Sequence, residues 1–158
     1  MYTKEQKVTE VLNSFLQTQG YTDVKAKYVK LLDSYYAPGA ECGEIVLGGI
    51  SNLNADKVFM NYCKSLGLAV DISVETMSFL HELGHHNTMD FLDDDELFES
   101  EFIKMMLYMQ DDESEEGYMK YFTCPIEREA TIDAIEFCNH CSNVAIELDK
   151  KLLKALYE

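Results

Sequence analysis

His81-Glu82-Leu83-Gly84-His85 is the stretch on which the reading of this chain turns. In the form H-E-x-x-H it sets two imidazoles four residues apart. An α-helix turns about 100° per residue, so such positions share one face, one above the other. Two imidazoles placed this way can bind a single metal ion. The Glu82 carboxylate projects beside that ion, where it can take a proton from bound water. Zinc is the expected occupant, because it accepts two nitrogens and a carboxylate and leaves a fourth position for water. The alternative is a surface helix with two chance histidines. Against it, the chain has four His in all, and half of them fall in this pattern.

The flanks read as helix. Ser73 is a good N-cap, and Glu75 sits in the first turn against the positive end of the helix dipole. The spacing predicts a helix from about Val74 to Met89. Met77, Phe79, Leu80 and Leu83 leave it apolar on most sides, as expected near the centre of a domain. Gly84 within it costs about 1 kcal/mol relative to Ala, and a close backbone neighbour would account for it.

A catalytic zinc usually takes a third protein ligand. Pro125 suits a first helical turn, where its missing N–H would be unpaired anyway, so a last helix is predicted from near Cys124 to about Leu156. On it Glu127, Ala130, Thr131, Ala134, Phe137, Cys138 and Cys141 form one stripe at steps of three and four. All but Glu127 and Thr131 are apolar or small, which directs the stripe to the core. A carboxylate pointing inward is costly unless paired or bound to metal. Glu129 lies about 200° away, on the wetter face with Asp133, Glu136 and His140. The stripe therefore favours Glu127 over Glu129 as third ligand. The other reading of Glu127 is a first-turn glutamate facing its own helix dipole.

Elsewhere the first helix is predicted over Thr3–Gln19, with Gly20 as its stop. Val24, Ala26 and Tyr28 alternate with Lys25 and Lys27 as in a half-buried strand. Pro38-Gly39 marks a turn, and 44–49 reads as a second strand. The two are expected to form a small antiparallel sheet, with a helix over Tyr28–Tyr35 as the alternative. If Glu44–Gly49 is an exposed edge, it could hold an extended peptide by strand addition. A helix is predicted over Ala55–Ser65. Another opens at Asp93-Asp94-Asp95-Glu96 and carries Leu97, Phe98, Phe102, Met105, Met106 and Met109; its acidic start offsets the dipole and lacks the glycine and spacing of an EF-hand. Asp111–Glu116 reads as a loop. Cys138-Asn139-His140-Cys141 lacks the partners of a structural zinc site and lies inside a helix, so both cysteines are expected in the core.

At 158 residues the chain suits one domain, 1–158, with no linker or repeat to divide it. Its apolar fraction of 47% argues against disorder. No run approaches a membrane span of about 18 apolar residues. The opening Met1–Lys7 is polar with no apolar core behind it, so no signal peptide is expected and the expected location is the cytoplasm. Five cysteines, an odd number, fit free thiols. With 29 acidic against 13 basic side chains, net −16, direct binding to a nucleic-acid backbone is disfavoured. The acidity either keeps the protein soluble or imitates DNA to occupy a basic partner.

The H-E-x-x-H helix followed by Pro125-Ile126-Glu127-Arg128-Glu129-Ala130 resembles the ImmA/IrrE-like metallopeptidases. These are small zincins of phages, mobile elements and bacteria, in which H-E-x-x-H is followed by E-x-x-A-N or E-x-x-A-D. The resemblance spans roughly Ser73 to Cys138. It implies a mostly helical α+β fold: a minimal zincin-like metallopeptidase domain with a small antiparallel sheet and a central H-E-x-x-H helix. It also implies Zn2+ on His81, His85 and Glu127, and Glu82 as general base. The family's Asn or Asp after the alanine is Thr131 here. The implied activity is hydrolysis of a protein or peptide substrate by a zinc-activated water whose proton Glu82 takes and returns to the leaving amine. His86, His140 and several tyrosines are candidate oxyanion donors. His86, rotated about 100° from His85, is not expected to share the ion. The competing function is an acidic phage-type binding protein, a DNA mimic or inhibitor, with a structural or vestigial zinc site.

Overall fold

Five of the seven α-helices begin where a side chain satisfies one or more of their first unpaired N–H groups. In the computed structural model, which describes residues 2–158, α1 (Lys4–Thr18) opens with a reciprocal capping box between Thr3 and Gln6. Asn52 caps α2 (Leu53–Ser65), Ser73 caps α3 (Val74–Thr88), and Asp93 caps α4 (Asp94–Gln110). Ser114 caps α5 (Glu115–Thr123), while α6 (Pro125–His140) starts on its proline without a side-chain cap. The last helix is α7 (Ser142–Tyr157). As expected, α1 ends at Gly20, whose φ of 85° lets the Tyr21 N–H reach back to the Leu16 carbonyl.

Three strands make one sheet: β1 (Val24–Val29), β2 (Tyr35–Ala37) and β3 (Gly43–Gly48), in the order β1-β3-β2. The chain is thus α+β and mostly helical, but the expected antiparallel pairing of the two longer strands is wrong. β1 and β3 run parallel, Val24 opposite Gly43, and β2 pairs antiparallel with β3, Tyr35 opposite Val46. Parallel neighbours need a connection of about a dozen residues or more. The segment from 30 to 42 supplies it and becomes the third strand, so no helix spans Tyr28–Tyr35. Residues 44–49 are consequently not an edge: β3 is central, and its Ile45, Val46 and Leu47 are all buried, as a strand covered on both faces requires. Strand addition to it is ruled out.

Two further expectations fail. The last helix is two helices that break at Cys141, which adopts φ −120°, ψ 49° and is exposed while Cys138 is buried. The acidic run 111–116 is a loop only to Ser114, beyond which α5 begins.

α3 is central. Its Met77, Phe79 and Leu80 pack into the main core with Leu12 and Leu16 of α1, Ile45 of β3, Ala134 and Cys138 of α6, and Leu152 of α7. Ser73 and Thr76 at its start donate to the Asp149 carboxylate on α7. At its middle the backbone of α6 closes in. A Cβ on Gly84 would lie 2.2 Å from the Ala130 carbonyl oxygen, so only glycine permits this crossing. Among the described residues no helix is long and apolar enough to cross a membrane.

Candidate metal centre

The close crossing at Gly84 and Ala130 sets the neighbouring turns of α3 and α6 face to face. From α3, His81 and His85 point across to Glu127, one turn before Ala130. All three are buried, and one donor atom from each lies within 4.8 Å of the others. His81 Nε2 is 2.9 Å from Glu127 Oε1. His85 Nε2 is nearly equidistant from the two carboxylate oxygens, at 3.3 and 3.2 Å. Among the described residues this is the one converging group of three or more His, Cys, Asp or Glu, and it can hold a metal ion. Glu129 takes no part. It lies half-exposed beside Arg128, 3.4 Å from its guanidinium.

Thr131 fixes which imidazole nitrogen faces the cluster. Its hydroxyl donates to the Glu127 carbonyl at 2.9 Å, which leaves Oγ1 to accept from His81 Nδ1–H, also at 2.9 Å. With the proton held on Nδ1, a neutral His81 presents its lone pair at Nε2. Thr131 thus supports the His81 ring from the side away from the cluster. The His81 and His85 rings meet edge to face at 4.8 Å, and Phe59 packs edge-on against His81 at 5.5 Å.

Glu127 is 2% exposed. Burial opposes its charge, but hydrogen bonds from His81 and His85 outweigh that and hold its pKa far below the usual carboxylate range. Burial likewise opposes a charge on His81, yet the hydrogen bond to Glu127 and the charges of Glu82 and Glu127 raise its pKa. Glu82 differs. It is buried beside the cluster, and its carboxylate accepts no hydrogen bond among the described residues. Burial raises its pKa, only partly countered by His81 and His85. A carboxylate with raised proton affinity next to a metal-binding group has the character of a general base.

Two residues that the spacing did not reveal complete the centre. Lys104 of α4 donates to Glu127 Oε2 at 2.8 Å and sits 5.3 Å from the ring centroid of Tyr121 on α5. Burial works against the ammonium, but Glu127 more than restores its charge. Burial first, and then the charges of Glu127 and Glu82, keep the Tyr121 phenol protonated. The carboxylate is therefore shared: Oε1 faces His81, and Oε2 is held by Lys104. α4 also supplies the cap that α6 lacks, because Ser100 Oγ accepts from the Ile126 N–H at 3.0 Å. The available signal was that α4 carries a single basic residue among its acids.

His86 and His140 are not at the centre. His86 is tied to the sheet by Tyr36 (2.7 Å) and to Asp23 (3.0 Å). His140 is exposed and bonds the Glu136 carbonyl. Cys138 is a buried thiol whose pKa burial pushes up to about 12, and it lies with α6 in the core. A groove of about 1000 Å³ between α1 and α7 shares no residue with the centre. Compared with known proteins, the chain matches no family model, no curated protein and no solved structure. The functional reading therefore rests on this geometry.

Proposed function

We propose that this protein is a zinc-dependent peptidase with a zincin-like, ImmA/IrrE-like centre. The observation that carries the reading is the convergence of His81, His85 and Glu127 with the raised-pKa carboxylate of Glu82 beside them. Two imidazole nitrogens and one carboxylate oxygen are the donor set of a catalytic zinc with one position left open.

When bound, zinc supplies an acidified water and a Lewis acid for a peptide carbonyl. The chain supplies the rest. His81, oriented by Thr131, and His85 offer Nε2, and Glu127 offers Oε1. Glu82 takes the proton of the attacking water and returns it to the leaving amine, so one residue serves as base and then acid. Negative charge develops on the carbonyl oxygen. The candidate donors there are the Lys104 ammonium, which reaches Glu127, and the protonated phenol of Tyr121, one of the tyrosines that the sequence offered.

The test is Glu82→Gln, assayed on a fluorogenic casein and a peptide library with zinc content measured alongside. Zinc stays at the parent level and cleavage falls by about 10²- to 10⁴-fold. Undiminished cleavage by a zinc-replete Glu82→Gln protein would rule out the peptidase mechanism.

A further inference from the structure

α4 has two apolar faces where a surface helix has one. At about 100° per residue, Ser100, Leu97, Ile103, Lys104 and Leu107 fall on one side, and these are the residues the molecule covers. Ser100 is buried and caps α6, Lys104 reaches Glu127, and Leu97, Ile103 and Leu107 are half-buried. Phe98, Phe102, Met105 and Met109 follow one another at steps of four, three and four. They form a second stripe within about 60°, roughly opposite the first. Nothing covers them: they are 74%, 51%, 51% and 71% exposed. A helix that is apolar on both sides is normally buried on both sides, and a contiguous exposed row of two phenylalanines and two methionines marks an interaction surface.

The charges beside the stripe state what it fits. On the same helical wheel Asp95 and Glu99 flank the first half of the stripe on one edge and Asp94 and Glu101 on the other, and the exposed Met106 and Tyr108 continue these edges over its second half. The one basic residue of α4, Lys104, is turned inward to Glu127. An apolar floor rich in adaptable methionine between two acidic rails complements an apolar face flanked by lysine or arginine.

We infer that the outer face of α4 is the docking surface for a basic amphipathic helix of a partner protein. A second copy of this chain would bring the same acidic rails face to face at a net charge of −16 each, which like-charge repulsion disfavours. An anionic membrane surface or a nucleic-acid backbone is repelled by the same rails. The docking face and the metal centre occupy opposite sides of one helix. Binding at α4 is therefore distinct from cleavage and does not depend on the peptidase reading.

The experiment is a fluorescence-anisotropy titration in EDTA, with a labelled Leu/Lys peptide of about four helical turns as probe and a Leu/Glu peptide of the same spacing as control. The Leu/Lys peptide binds the parent protein, more weakly as NaCl rises, and the Leu/Glu peptide does not. Phe98→Ser combined with Phe102→Ser alters exposed side chains only, so the fold, checked by circular dichroism, is retained while affinity falls about tenfold or more. Asp95→Asn, Glu99→Gln and Glu101→Gln together weaken binding and flatten its salt dependence. Glu10→Gln, Glu147→Gln and Glu158→Gln together remove the same charge at the α1–α7 groove and leave binding at the parent level. Equal weakening by the two charge triples would reduce the effect to net charge and overturn the inference. So would a Phe98/Phe102 double variant that binds as the parent does. A parent dimer in sedimentation that this double variant dissociates, or binding of the parent to lipid vesicles through the stripe, would assign the face to another occupant and equally overturn it.

Discussion

Thr131 is the residue that most directly links the fold to the chemistry of the centre. Its hydroxyl holds His81 Nδ1–H, and a ligand imidazole without such support typically loses about 10- to 100-fold in metal affinity. Thr131→Val, similar in shape but unable to accept, is expected to show that loss in competition with a chromophoric chelator, and Thr131→Ser to restore most of it. Glu82 gives a prediction of a different kind. Folding raises its pKa through burial, so the ionised group opposes folding. Its contribution is most favourable below the ordinary glutamate pKa of about 4.3 and is lost as pH rises through the folded value. Glu82→Gln carries no charge. In EDTA at pH 7 it is expected to be more stable than the parent by on the order of 1 kcal/mol, about 2–4 °C in Tm. That advantage shrinks as the pH falls toward 4. A Glu82→Gln protein that melts below the parent at pH 7 would contradict the burial argument. The place of Glu127 in the buried group was legible because an inward carboxylate on an apolar stripe demands a partner. Lys104 was not, since a contact from a helix more than twenty residues away leaves no periodic trace.

At the level of elements, the centre depends on how closely α3 and α6 approach. Gly84→Ala would drive a methyl to 2.2 Å from a backbone oxygen, and a backbone cannot turn aside as a side chain does. The helices must separate, at a cost of about 1–3 kcal/mol, and Glu127 recedes from both imidazoles. Denaturant unfolding is expected to show the lower stability and chelator competition a lower zinc affinity. Unchanged values in both would mean that the crossing is not the fulcrum described. The starts of α3, α4 and α6 were legible because Ser73, the acidic run at Asp93 and Pro125 announce them locally. The pairing of β1 with β3 was not, since the length of a connection permits either direction and the intervening strand is only three residues long. The break at Cys141 escaped notice because the three-and-four spacing runs straight through it, and α5 because its first turn lies inside an acidic run.

Across the whole molecule, the excess of acidic groups is carried at helix starts, in loops and along α4, while the candidate centre pairs the Glu127 carboxylate with histidine and lysine inside. The acidity and the site are thus separate features, and the proposed hydrolysis and the proposed docking on α4 can each fail without the other. What joins distant parts of the chain is the ion expected between α3 and α6. The direct measurement is zinc stoichiometry by elemental analysis of the parent protein and of Glu127→Ala, each confirmed as folded by circular dichroism. One zinc per chain in the parent and a large loss in Glu127→Ala is the predicted result. No zinc in the parent, or equal zinc in both, would contradict it.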